Sequence, residues 1–186
     1  SRAEQSRAEQ SRAERVYLHF GGLCRRKGTL DILRAIDATA ASALRGKIFV
    51  FAGCVYSDIK EEFDVLVHQI ADKGISIKVY DYFCDYDFIL HLVSMSHCVL
   101  IPYENTNQSS GVLGIAAQYG KMLFAPDKGL LGYLVNKYKL GYLYNTSNNR
   151  VEEIRRFIAS DNICEIDGSA YTKENTTEHF LKVLLN

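Results

Sequence analysis

Six short runs are apolar at consecutive positions, not alternate ones: VYLHF at 16–20, KIFVFAGC at 47–54, ISIKVYDYF at 75–83, CVLIPY at 98–103, KMLFAP at 121–126 and GYLY at 141–144. A strand that is apolar on both faces must be covered on both faces, which is the condition of a buried parallel sheet. The segments between the runs carry helical periodicity. Thr29 stands as an N-cap before Leu30, Leu33, Ile36, Ala40 and Leu44. Ile59, Phe63, Leu66, Val67 and Ile70 mark a second stripe, stopped at Lys73-Gly74. Asp85 or Asp87 caps a third through Phe88, Ile89, Leu92 and Val93. SSGVLGIAAQYG at 109–120 reads as a helix closed by Gly120, and two further helices follow, one over Val151–Ile158 and one toward Leu185.

Strands alternating with helices predict an α/β domain over 16–186: a Rossmann-like, doubly wound parallel sheet of about six strands with helices on both faces. Such sheets take ligands beyond the carboxyl ends of their strands, where loops lead into helix N-termini. The loops after Phe20, Phe83 and Tyr103 are therefore the informative ones.

The chain has 186 residues, 47% of them hydrophobic, enough for one core of ordinary size. Its 22 basic and 22 acidic residues cancel, which argues against nucleic acid as a partner. No apolar run approaches the ~20 residues that span a bilayer, and the polar N-terminus is no signal peptide. Cys24, Cys54, Cys84, Cys98 and Cys164 are scattered, several in apolar runs. They read as reduced, buried thiols of a cytoplasmic protein, with no metal site among them.

The loop GGLCRRKG at 21–28 ends a strand with two glycines and then sets Arg25, Arg26 and Lys27 before a helix. Arginine, lysine and the amides of a helix start can together clamp a phosphate or diphosphate; a solvated basic turn is the bland alternative. In NQSSGVLGIAAQYG at 107–120, Ser109, Ser110, Gly111 and Val112 open a helix directly after a strand. They form either an ordinary N-cap or an anion site facing the cationic loop. YDYFCDYDF at 80–88 places aromatics at a strand end, where Phe83 or Tyr82 could stack on a base, while Tyr80 and Phe88 read as core. G-x-S-x-G, HExxH, GxGxxG and Walker A motifs are all absent. His19, inside an apolar strand, reads as a satisfied core histidine, and His97 as structural.

In this order, the motifs resemble the C-terminal, donor-binding half of GT-B glycosyltransferases, especially glycosyltransferase family 4. FGGLCRRKGTLDILRAI and LIPYENTNQSSGVLGIAAQYGKMLFAP carry the resemblance, which covers residues 16–185. It implies a UDP- or GDP-linked sugar as substrate, no further cofactor, and sugar transfer to a glycan or lipid acceptor hydroxyl in surface glycan synthesis. Lys27 would hold the donor diphosphate, with Arg25 or Arg26 standing in for the family's loop arginine. The amides around Ser110, Gly111 and Val112 would receive the distal phosphate. The base would lie near Phe83 and Tyr82, with Glu104, Asn107 and Gln108 toward ribose and sugar. The family's two glutamates fall near Asn107 and Ile115, and neither position is acidic here. The resemblance also implies an N-terminal GT-B domain, fused or as a separate chain. That half would carry the acceptor site and any peripheral membrane contact, and without it this chain transfers nothing. Two other readings stay open: a non-catalytic nucleotide-binding or partner-docking domain, and an unrelated response-regulator-type domain.

The first fifteen residues, SRAEQSRAEQSRAER, stand apart as a linker or helix. AGC AGA GCA GAG CAG is AGCAG three times over and encodes SRAEQ. A pentanucleotide tract read in threes thus accounts for the peptide repeat. A slippage-prone tract of this kind would switch a bacterial glycan-building domain on and off by frame. A solvated helix or linker and an engineered tag are the alternatives.

Overall fold

A computed structural model describes residues 14–107 and 111–175. β1 (Arg15–Phe20) lies inside a six-stranded parallel sheet with β2 (Lys47–Ala52), β3 (Ser76–Tyr80), β4 (Cys98–Leu100), β5 (Met122–Pro126) and β6 (Gly141–Tyr144), in the order β3-β2-β1-β4-β5-β6. Every pairing is parallel; Leu18, for example, faces Val50 on one side and Val99 on the other. The chain winds outward from β1 in one direction and, from β4, in the other. The strand order therefore reverses between β1 and β4, which opens a crevice at their carboxyl ends.

The doubly apolar strands are explained by two cores. Tyr17, Phe49, Phe51, Leu100 and Phe124 face one layer, built by α1 (Thr29–Asp37), α2 (Lys60–Asp72) and α6 (Arg150–Ala159). Leu18, Phe20, Val50, Val99 and Leu123 face the other, with residues of α3 (Tyr86–Met95), α4 (Gly111–Gln118) and α5 (Gly129–Tyr138). Alternate residues of one strand thus feed opposite cores, so neither face tolerates a polar stripe. A further helical stretch runs over 169–175. The sequence repeat and the stretch toward Leu185 lie outside the described residues.

Four local expectations need correction. The third strand ends at Tyr80 rather than at Phe83, because the Asp81 carboxylate accepts from the Val55 amide and the chain turns there. The fourth ends at Leu100, since Pro102 has no amide for the ladder and Tyr103 turns back to the Ile101 carbonyl. Gly28, not Thr29, occupies the N-cap of α1, and the Thr29 hydroxyl instead meets His19. Its helical stripe also stops early, at Asp37, with a 3-10 turn over Ala41–Leu44. Helix α5 was not foreseen: two glycines in GLLGYLVNKY obscure a stripe whose Leu131 and Val135 are buried. Asp85 does cap α3, its side chain accepting from the Phe88 amide.

Candidate functional site at the switch point

His19 and Thr29 fix the floor of the crevice. The His19 ring is 1% exposed, with Nδ1 2.9 Å from the Leu100 carbonyl and Nε2 2.9 Å from the Thr29 hydroxyl. A carbonyl can only accept, so Nδ1 carries the proton and Nε2 accepts from Thr29. Burial holds the ring neutral, with its pKa lowered to about 4. The histidine thus ties β1, β4 and the start of α1 together directly below the basic loop.

That loop makes a 3-10 turn over Arg25–Lys27 and ends at Gly28 in the left-handed conformation. A Cβ on Gly28 would lie 2.5 Å from the Pro102 carbonyl oxygen, so the loops after β1 and β4 touch where only glycine fits. Arg25 and Arg26 are exposed. The Lys27 side chain folds back over the glycines: its Nζ lies 2.6 Å from where a Gly21 Cβ would stand and 5.6 Å from the centroid of the Tyr103 ring. Desolvation lowers its pKa, with Arg26 adding to the effect against an opposing influence from Cys24. Among the described residues no carboxylate pairs with it.

Across the crevice, α4 begins at Gly111, and a Cβ there would meet nothing within 4 Å. Because β4 neighbours β1, α4 starts at the same carboxyl edge of the sheet as the basic loop, with the positive end of its dipole at that edge. Val112 is buried, while Gln108, Ser109 and Ser110 lie outside the described residues.

A cleft of about 490 Å³ opens beside these groups at the ends of β1, β2 and β3. Phe20, Ala52, Ile89 and Ile115 form its apolar wall, Gly21, Gly22 and Gly53 its backbone edge, and Tyr56, Phe83 and Tyr86 its rim. Phe83 is 85% exposed, a large cost in water for a residue with no partner above it. Gly53 is obligatory here, since its Cβ position lies 1.8 Å from the Gly21 carbonyl oxygen.

Lys27 packs on Gly21, which lines the same cleft as Phe83, and α4 starts at the same edge of the sheet; Arg25 and Arg26 sit in the exposed turn before Lys27. Tyr82, Glu104 and Asn107 do not line the cleft. Tyr82 turns away to stack on Phe88, 6.3 Å between centroids, and does not line the cleft. The Glu104 carboxylate lies 3.5 Å from Arg150 Nη1, which also holds Asp31 at 3.0 Å. The Asn107 amide donates to the Asn105 side chain. Sequence reasoning missed Tyr56, Tyr86 and Arg150; the glycine-cysteine ending of β2 was the one available signal for the second wall. It also read Cys54 as buried. Cys54 is exposed, because the chain has already left the sheet at Gly53, and Cys84 beside it is half-buried. No group of three His, Cys, Asp or Glu side chains among the described residues could hold a metal ion.

No family model matches the sequence, and no curated protein does. Solved structures do. The C-terminal domain of a group 1 family glycosyl transferase, LpcC from Francisella tularensis, is similar over 96% of this chain and 93% of its own, with a TM-score of 0.67 at 14% identity. A UDP-forming trehalose-phosphate synthase from Burkholderia xenovorans covers the whole chain with a TM-score of 0.72 at 10% identity. The lipopolysaccharide glycosyltransferase WaaG covers 86% of it with a TM-score of 0.62 at 13% identity. The fold is that of the C-terminal half of a GT-B glycosyltransferase. This chain spans 42% of WaaG and 47% of the trehalose-phosphate synthase, about half the length of each.

Proposed function

We propose that this domain binds the nucleotide-sugar donor of a glycosyltransferase that moves a sugar to an acceptor hydroxyl in surface glycan synthesis. The observation that carries the reading is Lys27: a half-buried ammonium at the switch point, without a carboxylate partner among the described residues, at the same edge of the sheet as the start of α4. A diphosphate supplies the charge that both groups favour. The adjoining apolar cleft, lined by Gly21 at one end and by the exposed Phe83 ring, would take a flat base. A structural neighbour from Anabaena, HepE, was solved with UDP and glucose, which supports a nucleotide sugar as the class of ligand.

In the reaction, Lys27, Arg25, Arg26 and the amides of α4 would stabilise the charge that develops on the departing diphosphate. The acceptor site belongs to a second, N-terminal domain, fused or separate. On this reading the 186-residue chain binds donor and transfers nothing by itself. No helix among the described residues is long and apolar enough to cross a membrane. A cytoplasmic location, where nucleotide sugars are made, fits the proposal. The AGCAG tract would switch production by frame in a bacterial gene; synonymous codons breaking the tract would dismiss that part.

A second reading, a non-catalytic nucleotide-binding or docking domain, is favoured by the uncharged Asn107 and Ile115. Calorimetric titration with UDP, GDP and UDP-sugars tests binding, and adding the N-terminal half tests transfer. Binding without transfer in the complete pair selects the second reading; no binding by either form rejects both.

A further inference from the structure

The nucleoside would have to lie with its two ends in different chemistry. Its phosphate end is fixed by Lys27, whose Nζ lies against Gly21, with the start of α4 at the same edge of the sheet. Its base end is fixed by the exposed rings of Phe83 and Tyr86 on the far rim. The pentose must bridge them. What faces the bridge is Ile115, about one turn into α4, with Ile89, Phe20 and Ala52 behind it.

That wall is made of carbon. Among the described residues lining the cleft, no side chain is a carboxylate or an amide. The polar side-chain atoms in the lining are the hydroxyls of Tyr56 and Tyr86 and the thiols of Cys54 and Cys84, and the backbone groups belong to the edge formed by Gly21, Gly22 and Gly53. Tyr56 leans on the glycine edge, its hydroxyl 3.0 Å from where a Gly22 Cβ would stand. The Cys84 thiol is already directed at the carbonyl of Tyr82, 3.4 Å away. A thiol is a weak donor and a weak acceptor in any case. A ribose hydroxyl placed against Ile115 would lose its water and gain no side-chain partner from that wall. A site that hydrogen-bonds a hydroxyl rejects the analogue without it, whereas a wall of carbon has no means to do so.

We propose that this cleft does not select for the pentose 2′-hydroxyl, and that 2′-deoxyribonucleoside diphosphates are bound as well as the ribonucleoside forms. The donor class is thereby widened to deoxynucleotide-linked sugars. The inference rests on the donor-binding reading and concerns one position within it. Its physical content is the absence of a penalty. The deoxy form loses no hydrogen bond on transfer to the site, and its more apolar pentose is the cheaper one to strip of water.

The test is competitive calorimetry on the 186-residue chain with UDP against dUDP and GDP against dGDP, at fixed salt. The expected result is a pair of dissociation constants equal to within about threefold. The Ile115→Glu variant, which sets a carboxylate at a half-buried position, is expected to introduce a preference for the ribo form of about tenfold. A ribo preference of about tenfold or more in the unsubstituted chain overturns the inference and leaves the donor reading intact. Failure of every nucleotide to bind overturns both. Equal binding in the parent with no change in Ile115→Glu also counts against it, because the pentose would then not be facing Ile115.

Discussion

The backbone amide of Glu104 donates to the carbonyl of Arg26 at 2.8 Å. This bond joins the loop after β4 to the loop after β1, the two lips of the switch point. Gly28 closes the same contact from below, against Pro102. The cationic loop is therefore held in place by the neighbouring strand's loop before any ligand arrives. A preformed site of this kind loses less conformational entropy on binding.

Gly28→Ala tests that contact. Gly28 has φ +75 and Gly46 has φ +76, so alanine is strained in both, but only at Gly28 would the new Cβ meet backbone, 2.5 Å from the Pro102 oxygen. Gly46→Ala is expected to cost about 1 kcal/mol. Gly28→Ala should cost about 2–4 kcal/mol, because the two loops must separate. Urea unfolding of the two variants side by side checks it. Equal losses would mean that the loops do not depend on their close approach.

His19 sets a pH dependence. Its folded pKa is about 4 against an ordinary 6.5, so the unfolded chain binds a proton that the native one refuses. Its contribution is complete above about pH 6.5 and is lost as pH falls through that window toward 4, amounting to about 3 kcal/mol over the whole range. His97, which accepts from the Val16 amide and whose pKa is also lowered, first by burial, acts in the same direction. The comparison is therefore with His19→Asn, whose urea midpoint should vary less between pH 6.5 and 4. An unchanged slope would place the titrating group elsewhere.

The sheet and its switch point were readable because consecutive apolar residues can only mean coverage on both faces, and Leu18 and Tyr17 do feed opposite cores. The basic loop and the opening of α4 were readable because they interrupt that pattern with charge and glycine. The cleft was not. Its wall takes Ile115 from α4, Ile89 from α3 and Ala52 from β2, ordinary core residues in sequence that only the winding of the chain brings together. Arg150 was invisible for the same reason: its partner Asp31 is 119 positions away. Strand ends were misjudged where a long-range bond, Asp81 to Val55, overrode the local β pattern.

Lys47 shows the same limit at the amino end of the sheet, where it read only as the start of a strand. It is buried, and its Nζ donates to the carbonyls of Ile158 and, at 2.7 Å, Ser160, with Asp161 at 3.7 Å. A cation thus caps the carboxyl end of α6, where the helix dipole is negative. Lys47→Met keeps much of the volume and leaves those carbonyls without their donor. The expected loss is about 2–4 kcal/mol by urea unfolding, with nucleotide binding unaffected because the crevice lies at the other end of the sheet. An unchanged midpoint would show that water replaces the ammonium at no cost.

Lys27→Ala separates binding from folding in the opposite sense. The ammonium is desolvated without an acidic partner among the described residues, and its contact with the Tyr103 ring offsets only part of that cost. The variant should unfold at the same temperature as the parent or slightly higher when no ligand is present. Its affinity for UDP or GDP should fall about 10- to 100-fold, the range for a lost hydrogen bond to a charged group. The lowered pKa adds a signature. As pH rises the parent should lose nucleotide affinity below the range of an ordinary lysine, because the neutral amine no longer attracts the diphosphate, whereas the variant should show no such loss. Calorimetry across alkaline pH, paired with thermal melts, reads both effects. A variant that binds as tightly as the parent would remove Lys27 from the phosphate site, and with it the charge on which the donor reading rests.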